Sequence, residues 1–166
     1  AAQALTFWKA AFHSIYGWQQ ALDDMSVAHQ LREESVTGHV VFLEALSRIG
    51  HTLMTEHTPN VKKLNNLKKM VHHRYDPLWE GRCVVLGKMQ KTPDSIALTY
   101  NVLKQLMGDT LSPDEQRKED AAARHQAASK AEQQAHEKRR IAERDKDILA
   151  LREQQRRASS ASELLD

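Results

Sequence analysis

The segment DPLWEGRC at residues 76–83 decides how the chain is organised, because it lies in the region of the sequence without helical periodicity. Trp79, Glu80, Gly81 and Arg82 place an aromatic ring, a carboxylate, a glycine and a guanidinium at consecutive positions. Irregular segments of helical proteins often carry recognition groups or polar contacts that fix the fold. Because apolar residues recur at helical spacing on both sides, we predict an all-α fold, mainly a helical bundle, with one irregular loop or short extended segment around residues 76–92.

This segment has two interpretations, which the residue types alone do not separate. In the first, Arg82 pairs with Glu80 as a structural latch, and Trp79 enters the helical core. In the second, the guanidinium of Arg82 contacts a phosphate or a guanine edge, with Lys88 and Lys91 beside it.

Upstream of the segment, apolar spacing predicts three helices. The first is an amphipathic helix over residues 5–22, and the second covers about residues 27–56 with Ser26 as its N-cap. A turn at residues 57–60 precedes a short helix over residues 61–71. The core-facing stripe expected on the first helix contains Leu5, Trp8, Phe12, Ile15 and Trp18.

The short helix carries the most concentrated basic surface of the globular part. Its inward positions are expected to be Val61, Leu64, Leu67 and Val71. The other faces are rich in lysine, which fits either a solvated surface or contacts with nucleic-acid phosphates. In the second case, the predicted nucleic-acid-binding residues are Lys62, Lys63, Lys68, Lys69, His73, Arg74, Arg82, Lys88 and Lys91.

Downstream of the segment, cap signals mark two further helices. Thr92 and Pro93 fit the N-cap and N1 positions of one helix, which Gly108 ends as a C′ residue. The segment SPDE at residues 112–115 predicts a capping box at the start of a long charged helix over residues 113–157. The apolar seam of that helix is too thin for a stable two-stranded coiled coil, so we expect a solvated helix or a weak arm for self-association or for a partner protein.

Composition and charge limit the possible classes of function. The chain has 166 residues and a net charge of +2, a balance that does not by itself identify a nucleic-acid partner. No apolar run approaches the roughly 18 residues of a membrane span, and the single cysteine fits a cytoplasmic protein. We divide the chain into a helical globular domain over residues 1–112, the charged helix over 113–157 and a flexible tail over 158–166.

The sequence lacks the usual motifs of catalytic and metal sites. Among its nine histidines, His51 and His57 are six positions apart, and His72 and His73 are adjacent, so neither pair has the i,i+4 spacing of a helical metal site. His-Glu-x-x-His, Walker A and Gly-x-Gly-x-x-Gly motifs are absent. We therefore predict no catalytic residue, no metal and no cofactor, and we interpret Cys83 as a structural thiol.

Five segments occur in an order that resembles a known family. They are LREESV at 31–36, LEALSRIG at 43–50, LWEGR at 78–82, LTYNVLK at 98–104 and LSPDEQ at 111–116. Together they resemble the C-terminal half of the DGQHR-domain family, which includes DndB of bacterial DNA phosphorothioation (DNA sulfur modification) systems. The family's Asp-Gly-Gln-His-Arg segment is absent from the sequence, so we expect a C-terminal fragment of a larger protein.

The resemblance implies a cytoplasmic bacterial protein that binds double-stranded DNA and represses transcription of the sulfur modification genes. An alternative is a protein-interaction scaffold in a DNA modification or defence complex, in which the long helix docks a partner. A third hypothesis, part of an enzyme, would place the catalytic groups in the missing N-terminal half.

Overall fold

The computed structural model describes residues 2–55 and 60–162, with side chains to residue 148 except those of Ser129 and Asp147. The predicted turn at 57–60 therefore lies outside the described residues apart from Asn60, as do residues 163–166 of the predicted tail. The helices are α1 (Ala2–Ser14), α2 (Gln20–Asp23), α3 (Met25–Glu34), a short 3₁₀ helix (Val36–Gly38), α4 (Val40–Thr55), a second 3₁₀ helix (Val61–Lys69), α5 (Pro93–Leu106) and α6 (Pro113–Ser162). We call the second 3₁₀ helix the lysine helix.

The fold is mainly α-helical, as predicted. The predicted extended segment is a small antiparallel hairpin of β1 (Val84–Val85) and β2 (Lys88–Met89), in which Val84 pairs with Met89 and Val85 with Lys88. The chain divides into a compact unit of residues 1–123 and a second unit of residues 124–166. Helix α6 contributes to both units and continues to Ser162, past the predicted end at residue 157.

The core of the first unit lies between α4 and α5, with α1 and the lysine helix packed beside them. Trp79 is completely buried in this core, although it belongs to the irregular segment. Its indole Nε1 donates a hydrogen bond to the carbonyl oxygen of Val71 at 2.7 Å, so the buried polar atom of the ring has a partner. The expected insertion of Trp79 into the core is present.

The prediction of one helix over residues 5–22 was wrong. The backbone turns at Gly17, whose φ of +76° is a conformation that favours glycine, and the helix resumes only at Gln20. A Cβ on Gly17 would lie 2.8 Å from Leu31 Cδ2, so the turn also lets α3 approach. The buried face of α1 contains Phe7 and Ala11, whereas Leu5 from the expected stripe is 57% exposed.

The prediction of one helix over residues 27–56 was also wrong. Helix α3 begins earlier, with Asp24 as its N-cap, whose carboxylate accepts hydrogen bonds from the backbone N–H and the hydroxyl of Ser26. The helix then ends at Glu34. Ser35 N still donates to the carbonyl oxygen of Leu31, but Val36 N donates to the carbonyl oxygen of His72 at 2.9 Å. This pairing with a distant segment interrupts the helix, although the apolar spacing continues across the break.

The short helix predicted over 61–71 forms as a 3₁₀ helix and ends at Lys69. Leu64 and Leu67 are buried as expected, but Val71 is 47% exposed and Met70 is buried in its place. The tighter 3₁₀ winding repeats every three residues, which aligns positions 61, 64 and 67 and moves residue 71 off that face.

The predicted caps at Thr92, Gly108 and Ser112 are confirmed, whereas the N-cap predicted at Ser26 was wrong, because Asp24 takes that position. Thr92 caps α5 by accepting a hydrogen bond from Ser95 N, and Gly108 follows that helix with a φ of +88°. At the start of α6, Ser112 N donates to the carboxylate of Glu115 at 2.6 Å, and Glu115 N donates to the Ser112 hydroxyl at 3.3 Å. These are the two reciprocal bonds of a capping box.

Candidate nucleic-acid interface

The lysine helix presents its charges on a rigid support. Buried Leu64 and Leu67 fix one face to the core, and the Asn60 side chain caps the first turn by accepting from Lys62 N. Since side chains three apart eclipse in a 3₁₀ helix, Lys62 and Lys68 share one outward face. Both are exposed, as is Lys69.

Lys63 differs from the other lysines of this helix. Its Nζ lies 2.6 Å from Asp109 Oδ1, and both side chains are about one-quarter to one-third exposed. The pair ties the lysine helix to the segment that follows α5. Lys63 therefore contributes to the fold, and its charge is partly balanced by Asp109.

The guanidinium of Arg74 also holds the fold together. It donates to the carbonyl oxygen of Glu33 at 3.1 Å, at the end of α3, and to the carbonyl oxygen of Gly87 in the hairpin. The same group lies 5.3 Å from the centroid of the Tyr75 ring. Arg74 thus clamps the hairpin to α3.

Arg82 lies in a partly buried polar network that reaches α6. It donates to the carbonyl oxygen of Leu78 at 2.9 Å and to Glu119 Oε2 at 2.8 Å. The other carboxylate oxygen of Glu119 accepts from Asn101 Nδ2 at 3.1 Å. Glu80, the partner considered from the sequence, accepts a hydrogen bond from Leu86 N at 2.8 Å. The structure therefore connects Arg82 to a carboxylate on α6, which sequence reasoning missed.

The remaining predicted contacts lie in or near the hairpin. Lys88 on β2 and His73 are exposed, and the His73 ring lies 5.4 Å from that of Tyr75. Lys91 is also exposed, but its Nζ lies 2.7 Å from Glu44 Oε1. Among the nine predicted residues, the exposed cations are thus Lys62, Lys68, Lys69, Lys88 and Lys91, and the His73 side chain is exposed as well.

The hairpin exposes Leu86, which is not among the predicted site residues. Leu86 and Gly87 form its turn with φ values of +51° and +72°, and the Leu86 side chain is 75% exposed. The only local signal for this feature is a Leu-Gly pair between an apolar run and Lys88. We call Leu86 and Gly87 the hairpin tip.

Cys83 has the environment of a structural thiol. Its side chain is completely buried, and burial raises the pKa of the thiol to about 11 despite the nearby Arg82. The neutral thiol is therefore the form present near pH 7, which is a poor nucleophile.

An open cavity of about 550 Å³ lies between α4, α5 and the first turns of α6. Arg48, His51 and Tyr100 line it together with the oppositely charged Asp114 and Lys118. Over residues 2–55 and 60–162, His, Cys, Asp and Glu side chains do not gather in groups of three that could hold a metal ion. In the described part of the chain, no helix is long and apolar enough to span a membrane.

Comparison with known proteins supports the resemblance seen in the sequence. The family model DndB, described as DNA-sulfur modification-associated, matches residues 1–110. No curated protein and no solved structure gives a match. The identification as the C-terminal half of a DGQHR-domain protein stays a prediction. Because the family model covers most of the chain, the chain belongs to the DndB family of DNA-sulfur modification-associated proteins.

Proposed function

We propose that the chain is a DNA-binding regulator that represses a DNA sulfur modification gene cluster. Family membership connects the chain to DNA sulfur modification systems. The observation that carries the DNA-binding part is the set of exposed lysines at residues 62, 68 and 69 on a helix whose apolar face is fixed in the core. The backbone that carries these lysines is already ordered before binding, and exposed lysines suit contacts with the DNA backbone.

Within this proposal, the basic residues have two roles. Lys62, Lys68 and Lys69 contact phosphates and set the position of the duplex without reading its sequence. Arg74 and Arg82 have donors engaged with the chain itself, so they support the surface and do not approach DNA directly. Removal of the first group weakens DNA binding, whereas removal of the second group weakens folding.

The test compares two triple variants with equal changes of charge. In the first, Lys62, Lys68 and Lys69 are replaced by Gln, and in the control the exposed α6 residues Lys130, Lys138 and Lys146 are replaced by Gln. Binding to a duplex from the control region of the gene cluster is measured by fluorescence anisotropy between 50 and 200 mM salt. Each phosphate contact contributes about 0.9 to the slope of log K against log salt.

We expect the first variant to lower this slope by about two to three and the control to leave it nearly unchanged. Equal salt slopes for the two variants would mean that the lysine helix does not contact the DNA. If the unmodified chain does not bind duplex DNA even at 50 mM salt, the DNA-binding proposal is wrong for these residues. A promoter–reporter assay with the same variants then tests repression separately from binding.

A second candidate function is a protein-interaction scaffold, with α6 docking a partner or a second copy of the chain. Ile141 and Ile148 are exposed apolar side chains seven residues apart on this charged helix. A spacing of seven places them on one face, as in a short coiled-coil seam. Sedimentation velocity of the chain and of an Ile141→Glu, Ile148→Glu variant tests self-association. If both are monomers, α6 does not bind a second copy of the chain.

A further inference from the structure

The hairpin tip combines backbone strain with exposure of an apolar side chain. Leu86 has a φ of +51°. Among the described residues, it is the only non-glycine residue with a positive φ. Left-handed backbone is unfavourable for a leucine, and turns of this kind normally use Asn-Gly or Gly-Gly. The side chain gains no burial in return, because it is 75% exposed. Folding therefore does not explain why leucine occupies this position.

The protein holds this strained turn in place from two sides. The Glu80 carboxylate accepts the hydrogen bond from Leu86 N at 2.8 Å, and the Arg74 guanidinium donates to the Gly87 carbonyl. Below the turn, Val85 pairs with Lys88 across the hairpin. Two charged side chains from outside the hairpin thus fix a protruding leucine, which is how a strained residue is maintained at a functional position.

The surroundings of the tip are aromatic and carry charges of both signs, with the Glu80 carboxylate at Leu86 N and the exposed Lys88 on the other strand. Tyr75 is 64% exposed, and its ring lies 3.6 Å from the position that a Cβ on Gly87 would take. His73 is next to that ring, and Lys88 follows the tip on β2. A single protruding leucine is narrow enough for the minor groove of DNA, which is about 6 Å wide, and single apolar side chains act as wedges there.

We propose that Leu86 is a wedge that enters the minor groove of duplex DNA and partly unstacks one base step, with Lys88 on the adjacent phosphate. Proteins that kink DNA from the minor groove insert single apolar side chains in this way. A preformed turn suits the task, because the leucine is held away from the protein surface before DNA arrives. This inference rests on the DNA-binding function proposed above and adds the kind of contact that the chain makes.

The test uses Leu86→Asn, because asparagine tolerates positive φ. We expect this variant to unfold at the same urea concentration as the unmodified chain or a higher one, so a loss of DNA contact is not a loss of fold. Binding is measured with duplexes that carry 2-aminopurine, whose fluorescence rises when the base unstacks. The unmodified chain is expected to raise this fluorescence at one step, and Leu86→Asn to abolish the rise and weaken binding about tenfold.

Two further variants complete the test. Leu86→Met keeps a long apolar side chain and is expected to retain the fluorescence rise. Val85→Thr removes an exposed apolar group from the neighbouring strand position and is expected to leave the signal unchanged. Salt-dependent binding by the unmodified chain without any fluorescence change, or with an equal change for Leu86→Asn, would overturn the wedge and leave DNA binding standing. Absence of binding at 50 mM salt would overturn both.

Discussion

At the scale of single residues, the partly buried contact between Arg82 and Glu119 is expected to contribute strongly to stability. The two side chains are 22% and 10% exposed, and Glu119 also accepts from Asn101. Glu119→Ala would leave the guanidinium and the amide without their carboxylate partner in a poorly solvated site. We expect the free energy of unfolding to fall by about 2–4 kcal/mol, measured by urea unfolding with tryptophan fluorescence.

The matched control is Glu137→Ala, on the same helix. Glu137 pairs with Arg140 at 3.2 Å, but both side chains are more than half exposed. Such a pair contributes about 0.5 kcal/mol or less. Similar losses for Glu119→Ala and Glu137→Ala would mean that the network around Arg82 does not support the fold.

The pKa of Cys83 predicts a dependence of stability on alkaline pH. Burial raises the thiol pKa from 9.0 to about 11, so the folded chain holds its proton where the unfolded chain has released it. The contribution of the neutral thiol is thus complete below about pH 9 and is lost as the pH rises towards 11. We expect a loss of about 2 kcal/mol across this window, which Cys83→Ala removes when both chains are unfolded in urea from pH 8 to 11. Parallel pH profiles for the two chains would contradict the shift.

The partner of Arg82 shows what sequence reasoning at this scale could not supply. The burial of Trp79 follows from its size and from the apolar residues around it. Glu119, by contrast, is 37 positions from Arg82, and nothing in either local sequence indicates the pairing. The contact arises because the first turns of α6 lie near the irregular segment, which is a property of tertiary packing.

At the scale of elements, the helix ends at Thr92, Gly108 and Ser112 were predictable from local signals, whereas the break after Glu34 was not. The caps at Thr92 and Ser112 use groups within three residues, so the sequence contains the whole interaction. The break after Glu34 depends on the pairing of Val36 with His72, far along the chain. Apolar periodicity continued through that break, because both helices pack on the same core.

Replacement of glycine by alanine is expected to lower the free energy of unfolding by different amounts at Gly38 and at Gly108. A Cβ on Gly38 would lie 2.6 Å from the carbonyl oxygen of Leu31, and a backbone atom at this distance cannot move aside alone. Gly108 has a φ of +88° with open space around it. We expect Gly38→Ala to cost about 2–3 kcal/mol through overpacking and Gly108→Ala about 1 kcal/mol through backbone strain. Urea unfolding of the two variants checks the order, and a greater loss for Gly108→Ala would contradict it.

At the scale of the whole molecule, the start of α6 belongs with the residues before it. Glu115 accepts a hydrogen bond from Lys104 Nζ at 2.8 Å, and Glu119 holds Arg82 and Asn101. The capping box at Ser112 marks where the helix begins, but the compact unit extends to residue 123. A truncation designed on the sequence boundary at 112 would therefore remove contacts of the first unit, whereas one designed after 123 would not.

This difference gives a prediction for two truncated chains. A chain of residues 1–123 keeps the carboxylates of Glu115 and Glu119. We therefore expect its free energy of unfolding to lie within about 0.5 kcal/mol of that of the full chain. A chain of residues 1–112 loses the partners of Arg82, Asn101 and Lys104, and we expect it to be less stable by at least about 3 kcal/mol. Equal stability of the two truncated chains would show that the first turns of α6 contribute nothing to the core unit. Sedimentation of residues 1–123 beside the full chain then isolates any self-association that depends on residues 124–166.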